Sequence, residues 1–170
     1  ISLLATDACG AKDTCQFMVN VYNHPPEITD SLDTVLVKNQ TRFKYYPSIL
    51  DPDDSVHVIS YLAYPHWCVV KNDSVVGIAP DTLFRENLVV VVQDPCNAAD
   101  TLTFLVVVYV CGDCSGDGVL DIGDIVCEIN YLFKGGLPPQ PYKVGDVNSD
   151  GVVDIADVVY LINYLFKGGP

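Results

Sequence analysis

The sequence predicts a mainly β protein, a β-sandwich followed by a small α-helical unit. Three observations predict it. Residues 23–110 are short β-branched and aromatic runs punctuated by Pro, Asp, Asn and Gly. A segment near the N-terminus recurs at an offset of 87 residues. A tighter repeat, at an offset of 33, fills the C-terminal third, and each copy reads as an acidic loop followed by a helical pattern.

Within 23–110 the expected strands are Thr34–Lys38, Thr41–Tyr46, Val56–Tyr64, Cys68–Lys71, Val75–Ile78, Asn87–Gln93 and Thr101–Val110. In the last of these, Leu102, Phe104, Val106, Val108 and Val110 share one face by the two-residue period. Its other face holds Leu105, Val107 and Tyr109, so this strand should be central or covered. Asp51-Pro52-Asp53-Asp54 and Asp94-Pro95 are turn chemistry.

The offset of 87 aligns Asp7-Ala8-Cys9 with Asp94-Pro95-Cys96. Ala11, Asp13, Thr14, Phe17, Val19, Val21 and Tyr22 then recur as Ala98, Asp100, Thr101, Phe104, Val106, Val108 and Tyr109. Residues 1–22 therefore read as the closing hairpin of an earlier sandwich repeat, available as a donor strand, and 23–110 as one full copy. With Ile1 at the start and no initiator Met, the chain is expected to be processed or cut from something longer.

The offset of 33 aligns Asp113–Gly136 with Asp146–Gly169 without gaps, and 16 of the 24 positions are identical. Asp146, Asn148, Asp150, Asp154 and Asp157 occupy positions 1, 3, 5, 9 and 12 of a calcium loop, with the Val152 carbonyl at 7 and Gly151 at the sharp turn. The first copy supplies Asp113, Ser115, Asp117, the Val119 carbonyl, Asp121 and Asp124, with Gly118 at the turn. Ca²⁺ needs six to eight hard oxygens, and alternating ligands in a tight loop deliver them. Ser115 replaces the usual Asn or Asp, so the first site is expected to be the weaker. Apolar residues at helical spacing follow each loop, and Gly135-Gly136 and Gly168-Gly169 are stop signals. Residues 111–170 thus form one unit with two Ca²⁺ ions. Leu137-Pro138-Pro139-Gln140-Pro141 is a stiff connector between its halves.

Two loop–helix motifs without an entering helix, with Asp at position 12, resemble a type I dockerin domain. The resemblance implies attachment to a cohesin-like or other β-sandwich protein, another copy of this chain included. It places recognition at loop positions 10 and 11 and at position 22, here Ile122, Gly123, Lys134, Ile155, Ala156 and Lys167. The opening Asn23-His24-Pro25-Pro26-Glu27-Ile28-Thr29, the Asp51-Pro52-Asp53 turn and the closing Asp94-loop-Asp100-Thr101-Leu102-Thr103-Phe104 resemble cadherin-like and immunoglobulin-like repeats of bacterial and archaeal surface proteins. That resemblance implies a weaker metal site at Asp51, Asp53 and Asp94, with Asp54 beside it.

Seven cysteines in 170 residues favour an oxidising, extracellular or cell-surface setting. Cys9–Cys15 and Cys68–Cys96 are the expected bridges, and Cys127 is expected to pair with Cys111 or Cys114, leaving one thiol over. A net charge of −13 argues against nucleic acid, and no apolar run reaches membrane-spanning length. His24, His57 and His66 are scattered and no hydrolase or phosphate-loop motif is present, so catalysis is not expected. The functional expectation is a non-catalytic extracellular assembly protein. The alternatives are a subunit of a filament or surface layer joined by strand addition, and the anchoring tail of a secreted hydrolase.

Overall fold

The computed structural model describes residues 1–168; Gly169, the last expected stop-signal glycine, and Pro170 lie outside the described residues. Eleven strands precede two helices. Strands β1 (Ser2–Thr6) and β2 (Lys12–Gln16) form a hairpin by themselves. The next nine are β3 (Glu27–Ile28), β4 (Thr34–Lys38), β5 (Arg42–Tyr45), β6 (Ile49–Leu50), β7 (Val58–Ala63), β8 (Cys68–Lys71), β9 (Ser74–Ile78), β10 (Phe84–Gln93) and β11 (Ala99–Tyr109). They form a four-stranded sheet in the order β4-β11-β10-β7, a three-stranded sheet β5-β9-β8, and the short pair β3-β6.

The two larger sheets enclose one core. Leu88, Val90, Val92, Phe104, Val106 and Val108 from the first meet Phe43, Tyr45, Cys68 and Val75 from the second. The alternation read from the sequence puts the inward set of β11 there. β11 is central, between β10 and a parallel β4, and Val107 and Tyr109 of its outward set are buried too. Phe43 stacks edge-on against Trp67, and Tyr45 against Phe104. Tyr45 is also clamped from outside the core, since its hydroxyl donates to Asp30, which accepts from the Ser48 N–H as well. Strands β3 and β6 were not foreseen. Each is two residues long, too short for a period-2 signal.

The hairpin β1–β2 repeats β10–β11 in geometry. Ser2 pairs with Gln16 and Thr6 with Lys12; 87 residues on, Val89 pairs with Thr103 and Gln93 with Ala99. In each turn one aspartate closes the loop. Asp7 accepts from Ala11 N–H at 2.9 Å and Asp94 from Ala98 N–H at 2.8 Å. Among the described residues, every hydrogen bond of 1–22 stays within 1–22.

After Cys111 the chain forms a loop, helix α1 (Ile122–Lys134), a 3-10 turn at Tyr142–Val144, a second loop, and helix α2 (Ile155–Lys167). Ile125, Val158 and Leu161 are the buried apolar contacts between the helices. The C-terminal unit is hydrogen-bonded to the sandwich through Asn39, whose side-chain amide donates to Asp81 while its oxygen accepts from Cys111 N–H.

Candidate metal centre

Both acidic loops lead into their helices in the same way. Asp121 and Asp154, at loop position 9, are the N-caps of α1 and α2 and accept from Gly123 and Ala156 N–H. Asp124 and Asp157, at position 12, complete capping boxes by accepting from the N-cap N–H at 2.9 Å each. The same two carboxylates reach back across the loop. Asp124 accepts from Ser115 N–H, and Asp157 from Val147 and Asn148 N–H. Position 12 therefore holds loop and helix together, and both residues are fully buried.

Position 1 is wrapped by the loop backbone. Asp113 accepts from Gly116, Asp117 and Gly118 N–H and from the Ser115 hydroxyl. Asp146 accepts from Gly151 N–H through Oδ2. Gly118 and Gly151, at position 6, have φ of 83° and 93°, where a side chain would be strained. Asp117 and Asp150 each cap the following valine N–H, at 2.8 and 3.0 Å.

The donor set is all oxygen, which suits a hard cation such as Ca²⁺. A second observation supports the fit. Asp146 Oδ1 is buried and has no hydrogen-bond partner, the condition of a carboxylate oxygen kept for a metal. Asp113, Ser115, Asp117, the Val119 carbonyl, Asp121 and Asp124 would hold one ion. Asp146, Asn148, Asp150, the Val152 carbonyl, Asp154 and Asp157 would hold the other.

One buried acid escaped the sequence reading. Glu128, in the middle of α1, is fully buried and neither carboxylate oxygen has a partner. Burial, then the carboxylates of Asp157 and Asp124, push its pKa up to about 8. A sequence signal existed, because the residue 33 positions later is Leu161. A carboxylate stands where the repeat wants an apolar residue.

In the sandwich the structure corrects the expected metal set. Asp51, Asp54 and Asp94 offer oxygens within 4.8 Å of one another. Asp53 is not among them. The Asp51 side chain accepts from the Asp53 and Asp54 N–H groups, and the tight turn sends Asp53 outward to His24, whose N–H donates to it at 3.0 Å. Asp94 also accepts from Asn23 and Ala98. Burial and then the neighbouring carboxylates raise the Asp54 pKa.

Of the three expected bridges, the one to Cys127 forms and the other two are corrected. Cys114 and Cys127 form the disulfide, leaving Cys111 with a half-buried thiol. Cys9 and Cys15 are free, because Cys9 sits at the apex of the Asp7 turn while Cys15 pairs with Leu3 along the strands. Cys68 and Cys96 are free too. Cys68 is buried opposite Gly77 in the three-stranded sheet, whereas Cys96 lies in the exposed turn between β10 and β11.

The expected recognition residues Ile122, Gly123, Lys134, Ile155, Ala156 and Lys167 are all exposed. Around them Val126, Val159, Phe133 and Phe166 are 50%, 51%, 65% and 64% exposed. Val126 and Val159, and Phe133 and Phe166, are equivalent by the 33-residue repeat, so each helix exposes a matching apolar pair. No helix among the described residues is long and apolar enough to cross a membrane.

Residues 111–166 match the family model of the dockerin type I domain. No curated protein matches the chain. Among solved structures, a proposed alpha-galactosidase from Bacteroides fragilis shares 10% identity at a TM-score of 0.44, over 55% of this chain and 19% of that one. The extracellular cadherin domains of protocadherin gamma B7 share 11% identity at 0.44, over 66% and 40%. Tandem Ig repeats of Dlar share 9% at 0.39, over 64% and 61%. The chain thus spans about a fifth of the length of the first of these.

Proposed function

We propose that this chain is a non-catalytic extracellular assembly protein, attached to a β-sandwich partner through a calcium-organised dockerin surface. The observation that carries the reading is the paired loop geometry. Two oxygen-lined loops build two helix N-termini in one conformation, and each presents the same exposed apolar pair at loop position 10 and beyond. The ions would fix the loops, the loops fix the helix starts, and the helix starts carry Ile122 and Ile155. A cohesin-like protein or a second copy of this chain supplies the facing sheet. An acidic surface suits a calcium-containing exterior, and Asp51, Asp54 and Asp94 would add a weaker third ion.

Calorimetric titration of the full chain with Ca²⁺ tests the reading, followed by binding to a cohesin-like sandwich with and without EDTA. The expected result is two tight ions and capture that chelation abolishes. Capture unaffected by EDTA, or by Ile122→Asp with Ile155→Asp, would overturn it.

A second reading rests on the N-terminal hairpin. Residues 1–22 close a sandwich repeat whose other strands lie outside 1–22, and strand addition from an adjacent domain or subunit completes it. Its equivalents in β10–β11 show what is missing. Leu3 and Phe17 are 56% and 44% exposed, against 0% and 1% for Val90 and Phe104. Native mass measurement distinguishes the readings. Assemblies that survive EDTA and dissolve on Phe17→Asp indicate strand addition between subunits, and a monomer in every condition sinks that arrangement.

A further inference from the structure

We propose that Glu128, carried by the helix of the first repeat, is an additional ligand for the Ca²⁺ held in the second loop. The inference rests on the calcium reading of the loops and deepens it.

In each repeat the glycine just before the loop lies against the middle of the other repeat's helix, Gly112 against Leu161 and Gly145 against Glu128. Under the first loop the contact is apolar. A Cβ placed on Gly112 would meet Leu120 Cδ1 at 2.9 Å and Leu161 Cδ1 at 3.0 Å. Under the second loop the equivalent place on Gly145 faces Val153 Cγ1 at 2.9 Å and Glu128 Oε1 at 3.2 Å, with Pro139 Cγ at 2.8 Å. Val153 replaces Leu120, and Glu128 replaces Leu161. Gly145 directly precedes Asp146, so Glu128 lies against the start of the second loop.

Four buried side-chain polar atoms among the described residues lack a partner, and three of them are here: both Glu128 oxygens and Asp146 Oδ1. The remaining one, Trp67 Nε1, is in the sandwich. The carboxylates whose charges reach Glu128 are Asp157 of the second loop and Asp124 of its own helix. Asp157 is the position 12 ligand of the same loop. Asp157 is satisfied by backbone N–H groups, whereas Glu128 and Asp146 Oδ1 are buried at the start of the same loop with no donor. A buried carboxylate without a donor or a cation is strongly disfavoured. A divalent cation would satisfy all three unpartnered oxygens at once.

Coordination chemistry leaves room for the extra donor. Ca²⁺ takes up to eight oxygens, and the bidentate Glu of an ordinary position 12 is here the shorter Asp. Glu128 would restore the missing oxygen from across the helix pair. The second ion would then bridge the two repeats, whereas the first is held by its own loop alone.

The test uses the full chain with Asp117→Ala to weaken the first loop, so that calorimetry and Tb³⁺ luminescence read the second. Glu128→Gln keeps the shape and removes the charge. Glu128→Leu installs the residue of the other repeat. The expected result is at least tenfold weaker binding in both variants. For Glu128→Leu the melting temperature in EDTA should also rise, while the increment gained on adding Ca²⁺ shrinks. Unchanged Ca²⁺ affinity in Glu128→Gln, or a Glu128→Leu protein equally stabilised with and without Ca²⁺, would overturn the proposal. A parent chain that binds no Ca²⁺ at all would overturn the calcium reading itself, and is distinguishable from both. If Glu128→Leu fails to fold, Glu128→Gln decides alone.

Discussion

Hairpins β1–β2 and β10–β11 share strand register, an aspartate-closed turn and much of their sequence, yet differ in everything that packing supplies. In the sandwich, Val90, Val92, Phe104 and Val106 are 0–1% exposed. Near the N-terminus the corresponding Leu3, Ala5, Phe17 and Val19 are exposed. Local chemistry, here a turn aspartate and alternating residues, is thus sufficient to specify hairpin register. It does not stabilise the hairpin, because an isolated two-stranded ribbon is marginal in water. Burial of one face is what separates the two copies.

Truncation at equivalent positions should separate them most. Phe104→Ala should cost about 3–5 kcal/mol in chemical denaturation, as for a filled core aromatic. Phe17→Ala should cost within about 0.5 kcal/mol, as at an open surface. A comparable loss at Phe17 would mean that something covers the first hairpin in solution.

The turn aspartates should differ by less. Asp94→Ala removes the acceptor for Ala98 N–H and for the Asn23 amide in a buried place, and should cost about 1–3 kcal/mol. Asp7→Ala should leave the urea midpoint of the sandwich unchanged. In hydrogen exchange, β10–β11 amides should be protected close to the global limit, and β1–β2 amides should exchange at close to the rate of open chain.

Thiol chemistry sharpens the contrast further. Burial pushes the Cys68 pKa up to about 12, so Cys68 should resist alkylation at pH 8 until the sandwich unfolds. Cys15, on the open hairpin, should label at once, as mass spectrometry will show.

The smallest effect concerns acid. Burial raises the Asp30 pKa, but the Ser48 and Tyr45 hydrogen bonds outweigh it and hold the carboxyl below its ordinary 3.8. A depressed carboxyl stabilises the fold above its unfolded value, and that contribution disappears as pH falls through the lower folded value. Denaturation midpoints measured below pH 4 should fall less steeply in Asp30→Asn. The open hairpin should show no such dependence.

The strands with clear alternation were legible in the sequence, with Thr34–Lys38 and Cys68–Lys71 matching to the residue. So were both helices, because apolar periodicity and closing glycines are local signals. What sequence could not reveal was set by three-dimensional neighbours. Asp54 rather than Asp53 joins Asp51 and Asp94 because backbone N–H bonds orient the turn. The Cys9–Cys15 and Cys68–Cys96 bridges failed because strand pairing, not proximity in sequence, decides which cysteines meet. Glu128 was hidden because helical periodicity reports which face a residue occupies, and not what lies opposite.

The Cys114–Cys127 disulfide ties the start of the first loop, just after Asp113, to the helix that follows it, joining residues 13 apart. In the second copy the same positions are Val147 and Tyr160. The two copies thus differ in how they are held: the first loop has a covalent tie besides its hydrogen bonds, and the second has its hydrogen bonds alone. Their weak points lie in different environments. A reductant would loosen the first loop and leave the second untouched, whereas a chelator would bear hardest on the second, which has no covalent tie to hold its ends when its carboxylates repel one another.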